Sequence, residues 1–443
     1  TSVQRPVGTE MVYLSASNAL AADQLGMTLG ANASVLGINM TTASAATLLN
    51  DGYTLTTGSS GISMASGAGA FSIAPAMVLA AGQSWINLGA GTLTVSGSIA
   101  TAGNALEIGG GGSTVLSGII NGAGSVSKVG AGSLWLTGAN TYTGSTTVTA
   151  GTLNTASGAL ESTSQINVAG SGALKAVNLS SNAVLSLSGA GSAEVTGSGL
   201  TLGLVSNQSS KNTALAFTAT TGTITIGTLS GSSSTTFASD ASVLNGVDQG
   251  DVRVVGVLAG DIRTGAKVSA GAVRSGTVSG GSVTLTGLGT SSTVGVLSGG
   301  TVNVNAGTLA VSGSGSSAGS ANVVIANGAR LNFTPVSAGT LNVARLSLAN
   351  GGVVGMSWDS KISASGAAIL SGGVFKLSLS GDVITGKTYT LLEGGIGSAL
   401  DGGQYEVLGN AVYDYQWSLS GSLVQLTPLV HTGLYWRGGV EGG

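Results

Sequence analysis

NGAGSVSKVGAGSLWLTGANTYTGSTTVTAGTL, residues 121–153, sets the grammar for the chain. Leu134 and Leu136 flank Trp135, and Val148 follows Thr146 by two, so each short run presents one apolar face at the period of a β-strand. Between the runs stand Gly130, Gly132, Gly138, Gly144 and Gly151, with Asn140 in one gap. Such residues accept a positive φ at little steric cost, which marks the gaps as tight turns.

The grammar recurs. GAGTLTVSG at Gly89–Gly97 aligns without a gap on GAGSLWLTG at Gly130–Gly138, an offset of 41 residues, and AGTLAVSG at Ala306–Gly313 is a third copy. VTAGTL at Val148–Leu153 matches VNAGTL at Val304–Leu309, and AGTL at Ala150–Leu153 follows AGSL at Ala131–Leu134 by 19. An offset near 20 and another near twice that suggest one coil and two coils of a β-solenoid.

On these residues the stretch resembles the autotransporter-associated β-strand repeat, also called the passenger-associated transport repeat. The repeat pattern falls on Gly124, Val126, Lys128, Gly130, Gly132, Leu134, Leu136, Gly138, Asn140, Tyr142, Gly144, Thr146, Val148, Gly151 and Leu153. Val126 stands where the pattern has Leu, and Trp135 and Ser145 stand where such repeats often have Thr and Gly. The resemblance implies an exported protein of a bacterial surface, extracellular or cell-attached, built as an all-β, right-handed parallel β-helix. It implies no particular activity.

Composition agrees with a solenoid of close-packed strands. Of 443 residues 77 are Gly, 7% are charged and 4% aromatic, while hydrophobic residues reach 42%. Four prolines and the lack of a charged linker favour one elongated body, at about 20 to 25 residues per coil. A net charge of −3 without a basic stripe argues against nucleic acid as partner. No Cys is present and no run of 18 apolar residues offers a transmembrane helix. The opening TSVQRPVGTEMVYL lacks the basic and apolar runs of an export signal.

Along the chain, residues 1–239 read as solenoid, with Val12, Leu14, Leu55, Ile62, Leu185, Leu187, Ile224 and Ile226 in alternating runs. Ala16–Leu25 allows a helical turn, and Gly231–Thr236 reads as a loop. Residues 240–274 differ: Asp240, Asp248, Asp251, Arg253, Asp261, Arg263, Lys267 and Arg274 concentrate charge there, in a chain with 14 Lys and Arg and 17 Asp and Glu. This predicts an irregular insertion or distorted coil. The sharper reading is a subunit contact through Asp248, Asp251, Arg253, Asp261, Arg263 and Arg274, joined by Tyr435 and Trp436 near the end. The solenoid resumes over 275–373, closing strands follow over 374–430, and 431–443 reads as a linker or the start of a next block.

Motif matches to catalytic sites fail on context. GDVITGKT at Gly381–Thr388 fits a phosphate-cradling loop, but a strand-like YTLL follows where a helix is needed. GSSAG at Gly315–Gly319 fits a hydrolase elbow, yet His431 is the only histidine. A histidine metal site is excluded on the same count, no cofactor is indicated, and the chain reads as non-enzymatic. An outer-membrane barrel would need aromatic girdles that five Phe and eight Tyr do not supply. The five Trp, at 85, 135, 358, 417 and 436, read as partly buried packing under turns rather than as a sugar platform.

The expectation is therefore a structural rod that joins end to end into a filament, stalk or surface layer, with copies of itself or adjacent blocks of a longer precursor as partners. The competing expectation is an adhesin that displays a glycan-binding or host-binding face. Exposed strand edges at uncapped coil ends favour the first.

Overall fold

The computed structural model describes residues 7–15, 26–211, 214–221, 223–231, 233–237, 240–244, 247, 250–260, 262, 266–313, 320–333, 339–378, 384–408 and 413–430. Among these there is no helix; the ordered elements are strands. The chain divides into two units, Thr1–Gly256 and Val257–Gly443. Each is a parallel β-solenoid, consistent with the right-handed β-helix that the repeat implies.

In the first unit a regular coil carries three short strands, one on each face. Gln83–Asn87, Leu93–Val95 and Ile99–Ala100 make one coil, and Leu106–Gly109, Thr114–Leu116 and Ile120–Asn121 make the next. Leu106 pairs with Val126, Val126 with Thr146 and Thr146 with Ile166, so a coil takes 20 residues here. Leu93 pairs with Thr114 and Thr114 with Leu134, which makes the 41-residue offset two coils. Leu134 pairs with Leu153, so the 19-residue offset is one.

Because each strand alternates, the same side-chain parity points inward on every rung. One inward column runs Val12, Ile38, Ile62, Trp85, Ile108, Lys128, Val148, Val168, Leu187, Asn207. A second runs Ile73, Val95, Leu116, Leu136, Thr155, Ala176, Val195, Phe217, Phe237, Val254. Within it Phe217 and Phe237 stack with ring centroids 5.2 Å apart and planes 11° from parallel. Stacking like on like lets neighbouring rungs fill space without voids, the condition for native packing density.

The second unit repeats the arrangement. Leu285, Val304, Ile325, Leu348 and Leu370 form one buried column, and Leu309, Leu331, Val354 and Phe375 another. Strand Tyr389–Gly394 joins Lys361–Ala364 in parallel and Leu423–Val430 in antiparallel, and Tyr413–Ser420 pairs antiparallel with Leu423–Val430. This change of direction ends the run of parallel rungs with a hairpin. Tyr405 tilts between Phe375 and Trp417, at 5.9 and 5.2 Å, continuing the aromatic column beside it.

Three local expectations meet the structure differently. Thr235 and Thr236, read as part of a Ser-rich loop, begin strand Thr235–Phe237, because the rung Leu215–Phe217 beside them imposes pairing that local composition does not reveal. Ala16–Leu25 lies outside the described residues. The charged stretch contains strands Ala241–Val243 and Gly250–Ala259 and the start of Ala266–Leu285.

Candidate functional site

The repeat is where the most unusual interior chemistry gathers. On the face that carries Met77, Ile99 and Ile120 as successive rungs, the next coil offers Asn140 in place of a strand. Its Oδ1 accepts the Ile120 N–H at 2.9 Å, and its Nδ2 donates to the Ala159 carbonyl at 3.0 Å. Thr141 N–H reaches the Ile120 carbonyl at 2.8 Å. The Asn side chain thus bridges the coil before and the coil after, pairing the Ile120 N–H and the Ala159 carbonyl.

Two residues on, Tyr142 turns fully inward, and its hydroxyl meets Thr146 Oγ1 at 2.6 Å. Thr146 Oγ1 lies 3.1 Å from Thr163 Oγ1, which donates to the Gly144 carbonyl at 2.7 Å. Burial pushes the Tyr142 phenol up to about 12, the Thr146 hydrogen bond offsetting only part of that.

Lys128 occupies an inward position between Ile108 and Val148, with 2% of its surface exposed. Its ammonium donates to the carbonyls of Val129 at 2.6 Å, Gly130 at 2.7 Å and Ala150 at 3.4 Å. Among the described residues no carboxylate pairs with it. Burial pulls its pKa from 10.5 down to about 8. The lysine tethers the turn after its own strand to the matching turn of the next coil, as a strut inside the stack.

The repeat glycines serve the same close approach. A Cβ at Gly124, Gly132, Gly138 or Gly144 would overlap the carbonyl of Asn104, Gly112, Gly118 or Gly124 in the preceding coil. Gly151 combines two demands: a φ of +69° and a Cβ position that overlaps the Gly132 carbonyl oxygen and lies 2.5 Å from that of Gly130. Gly130, at a φ of +72°, makes the corresponding turn one coil earlier. Leu134, Leu136, Val148 and Leu153 are buried columns, as the alternation predicts.

The outer face differs. Trp135 points away from the core and is 45% exposed, with Asn154, Lys175 and Glu194 in register on the next three rungs. For Trp135 this departs from the reading of the tryptophans as partly buried packing under turns. Among the described residues Trp85 alone of the tryptophans is fully buried, its Nε1 donating to Gln83 at 2.8 Å. Trp358 meets Tyr389 edge to face at 4.8 Å and Trp417 leans on Tyr405. The signal was present: Trp135 lies between Leu134 and Leu136, and strict alternation sends it outward.

Of the candidate contact residues, Arg253 and Arg274 are exposed on strands Gly250–Ala259 and Ala266–Leu285, opposite Thr236 and Thr293. Asp251 lies on the first of these strands. Asp248, Asp261, Arg263, Tyr435 and Trp436 lie outside the described residues, as do His431 and 315–319. In GDVITGKT the described part is a turn: Gly386 N–H donates to the Pro428 carbonyl at 2.7 Å, and Lys387 Nζ sits 4.9 Å from the Tyr389 ring centre. Strand Tyr389–Gly394 follows, so the helix N-terminus that a phosphate cradle needs does not form. Among the described residues no helix is long and apolar enough to cross a membrane, and no group of three His, Cys, Asp or Glu is placed to hold a metal ion.

Residues 126–154 match the family model of the passenger-associated-transport-repeat. The match covers Lys128, Asn140, Tyr142 and, of the glycines just described, Gly130, Gly132, Gly138, Gly144 and Gly151, while Gly124 lies two residues before it. No curated protein and no solved structure matches the chain.

Two outcomes follow from the interior. Asn140→Ala leaves the Ile120 N–H and the Ala159 carbonyl buried without partners and should cost about 2 to 4 kcal/mol, read from the urea midpoint at constant slope. The second is an alkaline optimum. Below pH 8 the native chain holds a buried charge that the unfolded chain keeps in water, so unfolding takes up a proton at Lys128 between pH 8 and 10.5 and stability rises with pH. From pH 10 upward Tyr142 opposes this, because the unfolded chain gives up a phenol proton that the native chain retains to about pH 12. Urea midpoints from pH 7 to 11 should rise and then fall, and Lys128→Met should flatten the rise alone.

Proposed function

We propose that the chain is a structural shaft of an exported bacterial surface protein, a passenger-type β-solenoid that joins end to end with further copies. The observation that carries the shaft is the unbroken inward column of the first unit, from Val12 to Asn207, with backbone pairing on every rung. Shear along such a stack must break many hydrogen bonds together, and the low charge leaves little long-range repulsion between neighbours. The repeat match supports an exported, passenger-type setting for it.

Joining is supported by the first rung. Strand Met11–Leu14 pairs with Ala33–Met40, and among the described residues its other edge carries no strand. Beside it Val12, Leu14, Met27, Leu29, Leu48 and Phe71 line an apolar groove of about 160 Å³, and Tyr13 is 64% exposed. An edge with an apolar underside is a template for another coil. A second copy or an adjoining block of one polypeptide would use the same edge, and assembly of the isolated chain separates the two. A second reading, adhesion through a lateral face, is favoured by the outward position of Trp135.

The test is sedimentation and negative-stain microscopy of the intact chain over a concentration series. The reading expects fibres or growing species for the wild type and a single small species for the double variant Val12→Lys, Leu14→Lys, which places charge at the edge. A wild-type chain that stays monomeric at high concentration contradicts joining between copies.

A further inference from the structure

The outer face over strands Ser133–Leu136, Thr152–Thr155, Ala173–Val177 and Ser192–Ser198 carries a line of side chains in register. Trp135, Asn154, Lys175 and Glu194 occupy one column of register partners, on rungs about 4.8 Å apart. With Val177 and Thr196 they line an open groove of about 240 Å³. Val177, two residues along the strand from Lys175, is 44% exposed and adds a second apolar surface to the groove.

Two features set this groove apart from ordinary solenoid surface. Trp135 is a large aromatic residue at an outward strand position, which asks only for a residue that tolerates extended backbone. Neighbours cover part of the indole there, and 45% of the residue remains open to solvent. Lys175 and Glu194 are register partners, yet among the described residues they do not close to an ion pair. A donor and an acceptor therefore remain available side by side, with formal charges that cancel.

We propose that this groove binds a segment of neutral, hydroxyl-rich polysaccharide lying along the coil stack. The inference rests on the second reading above and assigns it a site and a ligand class. The apolar face of one pyranose ring stacks on the Trp135 indole. Hydroxyls further along the strand of sugars meet the Asn154 amide, which donates and accepts, the Lys175 ammonium, which donates, and the Glu194 carboxylate, which accepts. The regular spacing of rungs suits a polymer, and weak single contacts add along a chain through effective concentration. The carboxylate of Glu194 disfavours uronate polymers, and one lysine gives no phosphate-tracking stripe for nucleic acid.

The test uses the intact chain, with retention on immobilised neutral glucans, mannans and uronate polymers, and with tryptophan fluorescence titrated by the oligosaccharide retained best. Trp135→Thr restores the residue that such repeats often carry, and Trp135→Phe keeps an aromatic face; unchanged urea midpoints establish that both are folded. Asn154→Ala and Glu194→Gln provide variants that leave the indole in place. The expected result is retention on a neutral glycan, weakened about tenfold by Trp135→Thr and largely kept by Trp135→Phe. Retention that Trp135→Thr, Asn154→Ala and Glu194→Gln leave unchanged overturns this groove while leaving adhesion standing. Preference for uronate polymers overturns the ligand class, and no retention on any glycan overturns both the groove and the adhesive reading.

Discussion

The structure depends on one constraint, the repeat of the backbone hydrogen-bond ladder from coil to coil. At about 4.8 Å per rung, whatever one coil puts inside must fit against the same position of the next. Apolar columns satisfy this with Leu, Val and Ile, and aromatic residues enter where a neighbour can match them, as Phe217 does with Phe237. Turns must stack at the same spacing. Side chains do not fit there, which is why Gly132 backs onto the Gly112 carbonyl and Gly144 onto that of Gly124.

The same constraint explains the polar residues of the repeat. Where the third face loses its strand, Asn140 restores the broken pairing with a side-chain amide. Where the turn carbonyls of successive coils crowd together, Lys128 offers them a shared donor. Burying an ammonium without a counter-ion is costly, and carbonyl oxygens at 2.6 and 2.7 Å offset part of that penalty. Asn140 thus acts where the ladder loses a strand, and Lys128 acts from within a paired rung on the turn carbonyls beside it.

Much of this was legible in the chain. Leu134 and Leu136 gave the period, and the offsets of 41 and 19 residues are two coils and one because register partners carry equivalent letters. The inward lysine was legible too, since Lys128 shares parity with Val126, but a charged residue in a strand is ordinarily read as solvent-facing. What Asn140 and Lys128 do was not legible, because their partners, Ala159 and Ala150, are carbonyls of a neighbouring coil and carry no side-chain signal. Thr235 was misread for a related reason: its strand exists through the rung beside it. The groove at Trp135 needed four residues about 20 apart to be seen together, which only the register reveals.

The register is the central claim, and a chain without cysteine allows it to be measured directly. Ser127 and Thr147 are outward partners on adjacent rungs, and Asn167 lies one rung further. The account predicts that Ser127→Cys with Thr147→Cys oxidises readily to an intramolecular disulfide. It predicts that Ser127→Cys with Asn167→Cys does not, since two rungs exceed the span of that bond. Equal crosslinking of both pairs, or crosslinking of the distant pair alone, would contradict the coil-on-coil stack.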